Sequence, residues 1–298
     1  MSAGTAAIRP PPVALRQGAT GTRAALLSPA MLALIGGFGL PLVTLAVESV
    51  QQFVPGRVGA VEGGALTLDN YRELLSGAFV DVLFTTFWIG ATAAAIGQAI
   101  AFPLAYFIVR RFSPRWRTVC LSFLIMLVLS SVLVKTYAIE LTFGSVGVVR
   151  PLLRILSIAP NSRGYIDVVV IAGLIHAIVP LTALMLIGAM QAIDPRLLDA
   201  AQSLGAPAWR THLGITLPLA LPALVSSFLV SLTFAISAFV IPMVLGKGRV
   251  LFLSNSIYTR FSDIANYPSG AALSLAMLVV SMLVIATVSL AHGRRGRA

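Results

Sequence analysis

Long apolar runs separated by short polar segments dominate the pattern of hydrophobic and polar positions along the chain. A helix that crosses the hydrocarbon core of a bilayer needs about 20 mostly apolar residues. Several runs contain Gly or Pro, which spanning helices tolerate because neighbouring helices satisfy the freed backbone groups. The pattern predicts six spanning helices, at residues 26–46, 82–109, 119–137, 166–190, 217–245 and 271–291.

The flanking segments refine this pattern. Arginines precede the first run, as in a cleaved signal peptide, but its apolar region exceeds the usual length of about 7–15 residues and favours an uncleaved anchor.

Segments 68–78 and 148–156 each place apolar residues on one helical face, and Asp69 is a predicted N-cap of the former. Two interpretations stay open for both segments: a partner-docking helix flat on the outer interface, or packing beneath a loop.

Composition places most of the chain in lipid. Of its 298 residues, 58% are hydrophobic and only 10% are charged, and the mean hydropathy is +0.94. A soluble domain carries about 25% charged residues. The single cysteine, Cys120, excludes a disulfide framework and a multi-cysteine metal site. The chain is therefore predicted to be an all-α integral membrane protein.

The formal net charge of +11 could indicate nucleic-acid binding, but its placement indicates membrane topology instead. With the N-terminus inside, the inner segments hold twelve of the 21 basic residues and two of the ten acidic ones, a net +10. The outer segments hold the remaining nine and eight, a net +1. This asymmetry follows the positive-inside rule. We therefore expect both termini in the cytoplasm and no nucleic-acid partner.

The loop between the fourth and fifth runs, residues 192–218, has the chemistry of a helix, a tight turn and a second short helix. Asp194 is a good N-cap, and Pro195 suits the first helical position because its missing N–H is not needed there. Gly205 can end this helix, and Pro207 can start the second one. Apolar contacts are predicted at Leu197, Leu198, Ala201 and Leu204 in the first helix and at Trp209, Leu213 and Ile215 in the second.

The same loop resembles the cytoplasmic signature of binding-protein-dependent ABC permeases. That signature is Glu-Ala-Ala, three residues, Gly, nine residues, Ile, one residue and Leu-Pro. Every spacing fits here, and Asp199 replaces the usual Glu, which keeps the charge and shortens its reach. An ordinary interfacial helix-turn-helix is the alternative. The matching positions are Asp199, Ala200, Ala201, Gly205, Ile215, Leu217 and Pro218.

This resemblance implies a type I importer permease with a coupling helix that docks in a groove of a separate ATPase subunit. Small side chains at Ala200 and Ala201 would allow close approach, and Gly205 would permit the turn. Leu204 and Trp209 would support the packing. The implied partners are a dimer of ATP-binding subunits, a second permease, a solute-binding protein and the lipid bilayer. No cofactor is implied in this chain, because ATP and Mg would bind to the ATPase subunits.

Other segments resemble permeases of the spermidine/putrescine type, which implies import of a small solute, with a polyamine as first candidate, across a bacterial inner membrane. Arg150 departs from this subfamily, which usually carries a polar residue such as Asn there, and importers of iron, thiamine, phosphonates and opines share the pattern. The resembling segments are 67–75, 102–107, 134–138 and 266–272. The predicted organisation is a disordered cytoplasmic tail (1–24), a first spanning helix with a periplasmic loop (25–78), a five-helix permease core (79–291) and a basic cytoplasmic tail (292–298).

Ionisable residues in or near the spans are candidates for the substrate pathway. Lys135 and Glu140 flank the outer end of the third predicted span, and His176 lies inside the fourth. Snorkelling to the interface is the simpler explanation of the first two. A hydrogen-bonded interior histidine is the simpler explanation of the third.

No catalytic motif occurs in the sequence, so we predict a transport subunit and not an enzyme. There is no Gly-x-x-x-x-Gly-Lys-Ser/Thr for a P-loop. His176, His212 and His292 are far apart in sequence and suggest no metal site. Two other function classes stay open: an ATP-independent six-span carrier or channel, and a membrane scaffold or sensor that uses the loop only as an interaction surface.

Overall fold

The computed structural model describes residues 28–56 and 66–295, with side chains up to Leu290. The chain divides into two units, Met1–Val47 and Glu48–Ala298. The described residues of the first unit belong to helix α1 (Ser28–Ser49), which includes a π-helical stretch at Ile35–Gly39. α1 is long and apolar enough to span a membrane, as predicted for 26–46. The predicted tail at 1–24 lies outside the described residues.

The second unit contains four further helices that are long and apolar enough to cross a bilayer, and a bent helix pair that passes the same test only together. In chain order its helices are α2 (Asp69–Glu73), α3 (Gly77–Arg110), α4 (Pro114–Leu129), α5 (Val132–Phe143), α6 (Arg150–Ile155), α7 (Arg163–Ala192), α8 (Arg196–Ser203), α9 (Ala208–Ile236), α10 (Val240–Leu245), α11 (Leu253–Tyr258) and α12 (Tyr267–Arg295). The single long helices are α3, α7, α9 and α12, and α12 continues into the predicted basic tail as far as Arg295. With α4–α5 counted as one bent span, the six-span all-α prediction is confirmed.

Small residues of α3 allow α7 and α9 to pack closely on it. A Cβ on Gly90 would lie 2.9 Å from Ile236 Cγ2 of α9, and one on Gly97 would lie 3.0 Å from Ile178 Cγ2 of α7. Helices in membranes associate through such close backbone approach, because lipid gives them little hydrophobic driving force. The fully buried alanines of α3 are Ala93, Ala94, Ala101 and Ala105.

The third predicted span, 119–137, is not one helix. α4 and α5 meet at an angle of 92°, because Ser130 between them is extended, with φ −70° and ψ 145°. The Leu127 carbonyl, which would bond residue 131 in a continuous helix, accepts instead from Ser130 Oγ (2.8 Å) and Lys135 Nζ (2.7 Å). Polar side chains thus satisfy the backbone at the bend, as broken spanning helices require.

The fifth predicted span, 217–245, both begins and ends earlier than expected. α9 starts at Ala208 and ends at Ile236, and residues 237–239 separate it from α10. The carbonyls at this break are satisfied from α11, since Ser254 Oγ donates to Ala238 O (2.7 Å) and Asn255 Nδ2 donates to Phe239 O (3.1 Å). Side chains distant in sequence therefore replace the continued helix.

Helix α2 is tied into the second unit by side-chain contacts. Asn70 Nδ2 donates to the carbonyls of Ser49 (2.9 Å) and Gln51 (2.8 Å). Glu73 forms an ion pair with Arg260. These contacts favour the interpretation of segment 68–78 as packing within the chain.

The predicted N-cap at Asp69 is wrong. Leu68 occupies the N-cap position of α2, and Asp69 is the first helical residue. Its Oδ2 accepts a hydrogen bond from Thr67 Oγ1 (2.8 Å), so the carboxylate bonds the preceding turn. α6 likewise packs inward through Leu153, which is 6% exposed.

Candidate functional site

Helix α8 starts at a capping carboxylate. Asp194 Oδ1 accepts a hydrogen bond from Arg196 N (2.9 Å) and satisfies one of the free donors of the first turn. The predicted hydrogen bond to the first turn is present, but the N-cap position is occupied by Pro195 and the helix begins at Arg196, so the predicted N-cap at Asp194 is one residue out.

Gly205 ends α8 in the left-handed conformation, with φ +84°. Gly205 N donates to Gln202 O (2.9 Å), and Ala206 N donates to Ala201 O (3.1 Å). These two bonds form a Schellman motif, which satisfies the last carbonyls of a helix. The tight turn predicted at this glycine is therefore present.

The chain enters α9 directly after this turn. Pro207 is extended (φ −66°, ψ 149°) and immediately precedes Ala208. A π-helical turn at His212–Thr216 joins the start of α9 to its apolar part without a break. The predicted separate second helix is therefore wrong, because it is the first part of a helix that continues to Ile236. The signature residues Ile215, Leu217 and Pro218 lie within α9.

The loop exposes a mixed apolar and charged surface. Leu204 is 89% exposed and Trp209 is 59% exposed, and the Arg210 guanidinium lies over the Trp209 ring, 5.1 Å from its centroid. The predicted packing support from Leu204 and Trp209 is therefore not made within this chain. Large exposed apolar side chains grouped on one surface indicate a partner interface. Asp199, Ala200 and Gly205 are also exposed, and Ala201 is half-buried.

One buried leucine and one arginine fix the position at which α8 begins. Leu198 is buried in a cluster with Met190 of α7, Ile193 just after α7 and Ala220 of α9. Arg110, the last residue of α3, donates from Nη2 to Ile193 O (2.6 Å) and Met190 O (3.3 Å). The last carbonyls of a helix lack intrahelical partners and carry a partial negative charge, which favours a cation there. Arg110 thus fixes the point where the loop leaves α7.

The other arm of the loop also contacts α3. The rings of Tyr106 and His212 lie edge to face, 4.8 Å apart, and His212 Nδ1 lies 3.3 Å from Thr216 Oγ1. Sequence reasoning missed Tyr106 and used Arg110 only for topology, although both stand in the last turn of a span facing the loop. A polar cavity of about 260 Å³ is lined by Tyr106, Arg110, Arg111, Asp199 and Gln202, among others.

The three substrate-pathway candidates share no hydrogen bond or ion pair with one another among the described residues. Lys135 donates to Leu127 O at the α4–α5 bend, and Glu140 Oε1 lies 3.0 Å from Lys247 Nζ, in the turn after α10. His176 lines an apolar groove, and its ring forms no hydrogen bond with another described residue, so the hydrogen-bonded interpretation stays a prediction. No group of three or more His, Cys, Asp or Glu in residues 28–56 and 66–295 is placed to hold a metal ion.

A chain of polar side chains inside the spans was not predicted. Gln98 of α3 donates from Nε2 to Leu224 O and to Ser227 Oγ of α9, both at 3.0 Å. Ser231 Oγ donates to Ser227 O (2.8 Å) and lies 2.7 Å from Thr182 Oγ1 of α7. Such bonds join helices where water cannot compete. The sequence signal that could have predicted this chain is Gln98, an amide within an otherwise apolar run.

Residues 101–295 match the sequence profile of a family described as the binding-protein-dependent transport system inner membrane component. The match extends from the middle of α3 to the end of α12 and includes the whole loop. The chain belongs to this family. It is therefore a multi-pass membrane permease component of a binding-protein-dependent importer, and nothing supports the alternative of an ATP-independent carrier or channel.

Curated relatives confirm the subfamily resemblance. The spermidine/putrescine transport system permease protein PotB of Haemophilus influenzae is 28% identical over 222 residues, which cover 74% of this chain and 77% of that protein. PotB of Escherichia coli is 26% identical over 221 residues, covering 74% of this chain and 80% of that protein. The inner membrane ABC transporter permease protein YdcU of Escherichia coli is 25% identical over 236 residues, 75% of each chain.

The fold agrees with that of solved ABC permeases. A chain of a bacterial alginate ABC transporter, crystallised in complex with an alginate pentasaccharide-bound periplasmic protein, matches with a TM-score of 0.72 and 18% identity. The match covers 92% of this chain and 96% of that chain. The similarity shows the fold, and the predicted ABC importer permease core is confirmed.

Proposed function

We propose that this permease forms one half of a solute path and couples it to ATP hydrolysis through the exposed surface around α8. A second permease would form the other half, a dimer of ATP-binding subunits would hold ATP and Mg²⁺, and a solute-binding protein would deliver the solute. The observation that carries the proposal is the exposure of Asp199, Leu204 and Trp209 at the junction of two spanning helices. The related alginate transporter was crystallised with its periplasmic protein, which supports a binding-protein partner here.

The connection between this surface and the spans is stiff on both sides. Residues 193–195 alone separate α7 from α8, and Arg110 holds Ile193 in place. On the other side, α9 continues from Ala208 to Ile236. A displacement of α8 by an ATPase would therefore move α7 and α9 as well, because no long flexible linker lies between them to absorb the movement. Rigid elements of this kind can couple distant sites by having two arrangements.

The proposed orientation places this loop and both termini in the cytoplasm. Arg110, at the end of α3, contacts the end of α7, so the arginines that follow it lie on the same side as the loop. Positive charge concentrates in cytoplasmic segments of membrane proteins. The segment after α3 contributes Arg111, Arg115 and Arg117 to this side.

The proposed solute is a polyamine of the spermidine or putrescine type. The PotB relatives that carry this name are 26–28% identical to the chain over 74% of its length. The only carboxylate among the pathway candidates, Glu140, pairs with Lys247 through Oε1, and its Oε2 is buried without a hydrogen-bond partner among the described residues. A polyamine carries several cations and this is a single carboxylate, so solute contacts are proposed to involve the second permease as well.

The test is purification of the tagged chain from native membranes in mild detergent, followed by mass spectrometry and reconstitution in proteoliposomes. Co-purification of a P-loop ATPase and a second permease, with ATP-dependent spermidine uptake that requires the binding protein, is the expected result. Purification of the chain alone, together with solute movement that needs no ATP, would overturn the proposal. Uptake of a different solute with the same ATP dependence would overturn only the polyamine assignment.

A further inference from the structure

An apolar groove of about 650 Å³ runs between α3, α4 and α7. On α4 it is lined at helical spacing by Trp116, Cys120 and Phe123, and it continues to Leu127. The distance from Trp116 to Leu127 is about 16 Å at 1.5 Å per residue, close to half of the roughly 30 Å hydrocarbon core of a bilayer. The groove therefore has the depth of one lipid leaflet.

The end of the groove nearest the α8 loop carries uncompensated positive charge. Ile100, Leu104 and Ile108 line the groove on α3. Arg111, just after α3, lines the polar cavity beside Asp199 instead, so the charge at this end comes from the start of α4. Arg115 stands one turn before Val119, which also lines the groove. Arg117 stands in the same relation to Cys120.

Arg115 and Arg117 have no acidic neighbour in their part of the chain. Residues 82–139 contain no Asp or Glu. Neither side chain forms an ion pair or hydrogen bond with another described residue. The charge therefore remains available to a ligand at the mouth of the groove, where Trp116 is 65% exposed, a usual place for Trp at a membrane interface.

We propose that this groove binds an anionic phospholipid from the leaflet on the side of the α8 loop, which is the cytoplasmic leaflet in the proposed orientation. One acyl chain would lie along Ile108, Leu104 and Ile100 towards His176. The phosphate would be held by Arg115 and Arg117, because guanidinium groups bind phosphate oxygens in pairs. The positive-inside rule alone would put arginines in this segment but would not place them over a groove of leaflet depth.

Trp116 provides a direct measurement. In the full chain with Trp88→Phe and Trp209→Phe, the remaining tryptophan lines the groove. Its fluorescence is measured in nanodiscs that contain, at equal mole fraction, either phosphatidylglycerol or phosphatidylcholine with brominated acyl chains. We expect brominated phosphatidylglycerol to quench several-fold more strongly. Arg115→Gln combined with Arg117→Gln should make the two lipids equal, with quenching by brominated phosphatidylcholine unchanged as the folding control.

A matched charge change away from the groove is Arg150→Gln combined with Arg154→Gln, which should preserve the preference. Equal quenching by both lipids in the chain with native arginines would overturn the proposal. It would also be overturned if neither lipid quenched Trp116 in the assembled importer, because a helix of a partner subunit would then fill the groove. Neither result depends on transport, so failure of the importer proposal would be distinguishable.

Discussion

The two ends of helix α3 show two different ways of building this permease. At one end, Arg110 bonds the start of the α8 loop at Ile193. The first turn and the final turn of α8 are determined by neighbouring residues, Asp194 and Gly205. At the other end, Thr86 Oγ1 accepts a hydrogen bond from Leu253 N, more than 160 positions away in sequence. The shape of the loop therefore depends on local backbone chemistry, whereas its attachment to α3 through Arg110 and the packing at the opposite end depend on contacts between distant segments.

The largest effect is expected from Gly205→Val at the loop end. A β-branched residue is strained at φ +84° and should cost roughly 1–2 kcal/mol, so the end of α8 would rearrange and move Leu204 away from its partner. Solute moved per ATP hydrolysed in proteoliposomes should fall by roughly ten-fold, since about 1.4 kcal/mol is a factor of ten, while the subunits still co-purify.

Two variants control this experiment. Gly205→Asn should retain most of the coupling, because Asn adopts the left-handed conformation more easily. Gly188→Ala adds a Cβ with no atom within 4 Å and should leave transport unchanged. Full transport by Gly205→Val would show that the conformation of this turn does not matter for coupling.

A somewhat smaller effect is expected from Arg110→Ala. It removes two hydrogen bonds from a charged donor to the end of α7, one of them long at 3.3 Å. Arg110 is only half-buried, so water can replace much of the lost bonding and the net cost stays modest. Transport per ATP should fall several-fold while basal ATPase activity persists, and amide hydrogen exchange in residues 194–206 should increase. Arg110→Lys should recover part of both, because an ammonium can reach one carbonyl but lacks the guanidinium fork.

The control for Arg110 is Arg154→Ala, which removes the same charge from an exposed position at the end of α6. If both variants changed transport equally, net charge would explain the effect. If Arg110→Ala loosened the loop without altering transport per ATP, Arg110 would have a structural role only.

The contrast between the two ends explains which predictions succeeded. The turn at Gly205 and the hydrogen bond of Asp194 to the first turn of α8 were predictable, because each depends on a residue with a strong local preference. The 92° bend between α4 and α5 was not, because neither Pro nor Gly marks it and Ser130 and Lys135 satisfy the backbone only after the chain has folded. Periodicity also predicted packing for Leu204, since a pattern of apolar residues does not distinguish a core from a partner surface.

On the side of the spans opposite the α8 loop, changes in side-chain pairing should alter the free energy of unfolding more than the coupling of transport to ATP hydrolysis. Lys247 Nζ lies 3.0 Å from Glu140 Oε1, and the two side chains are 24% and 23% exposed. Thermal unfolding in detergent of Glu140→Gln, Lys247→Met and the double variant should give a coupling energy of about 1 kcal/mol, within the range for contacting pairs. Additive changes would show that water screens the pair, and a larger loss of coupling than in Arg110→Ala would reverse the assignment of the two ends.

The smallest effect is expected between the ends, from Thr182→Val. The change removes the bond of Thr182 Oγ1 to Ser231 Oγ (2.7 Å) with little change in shape, and Ser231 keeps its bond to Ser227 O (2.8 Å). No buried donor is left unpaired, so the loss should be about 0.6 kcal/mol, the average for hydrogen bonds between spanning helices. Ser231→Ala removes both bonds and should destabilise more in the same unfolding assay.

Because both arms of the loop contact α3 through Tyr106 and Arg110, transport per ATP should stay unchanged in Thr182→Val. A loss of coupling as large as in Arg110→Ala would mean that movement passes directly between α7 and α9 and that α3 only supports them.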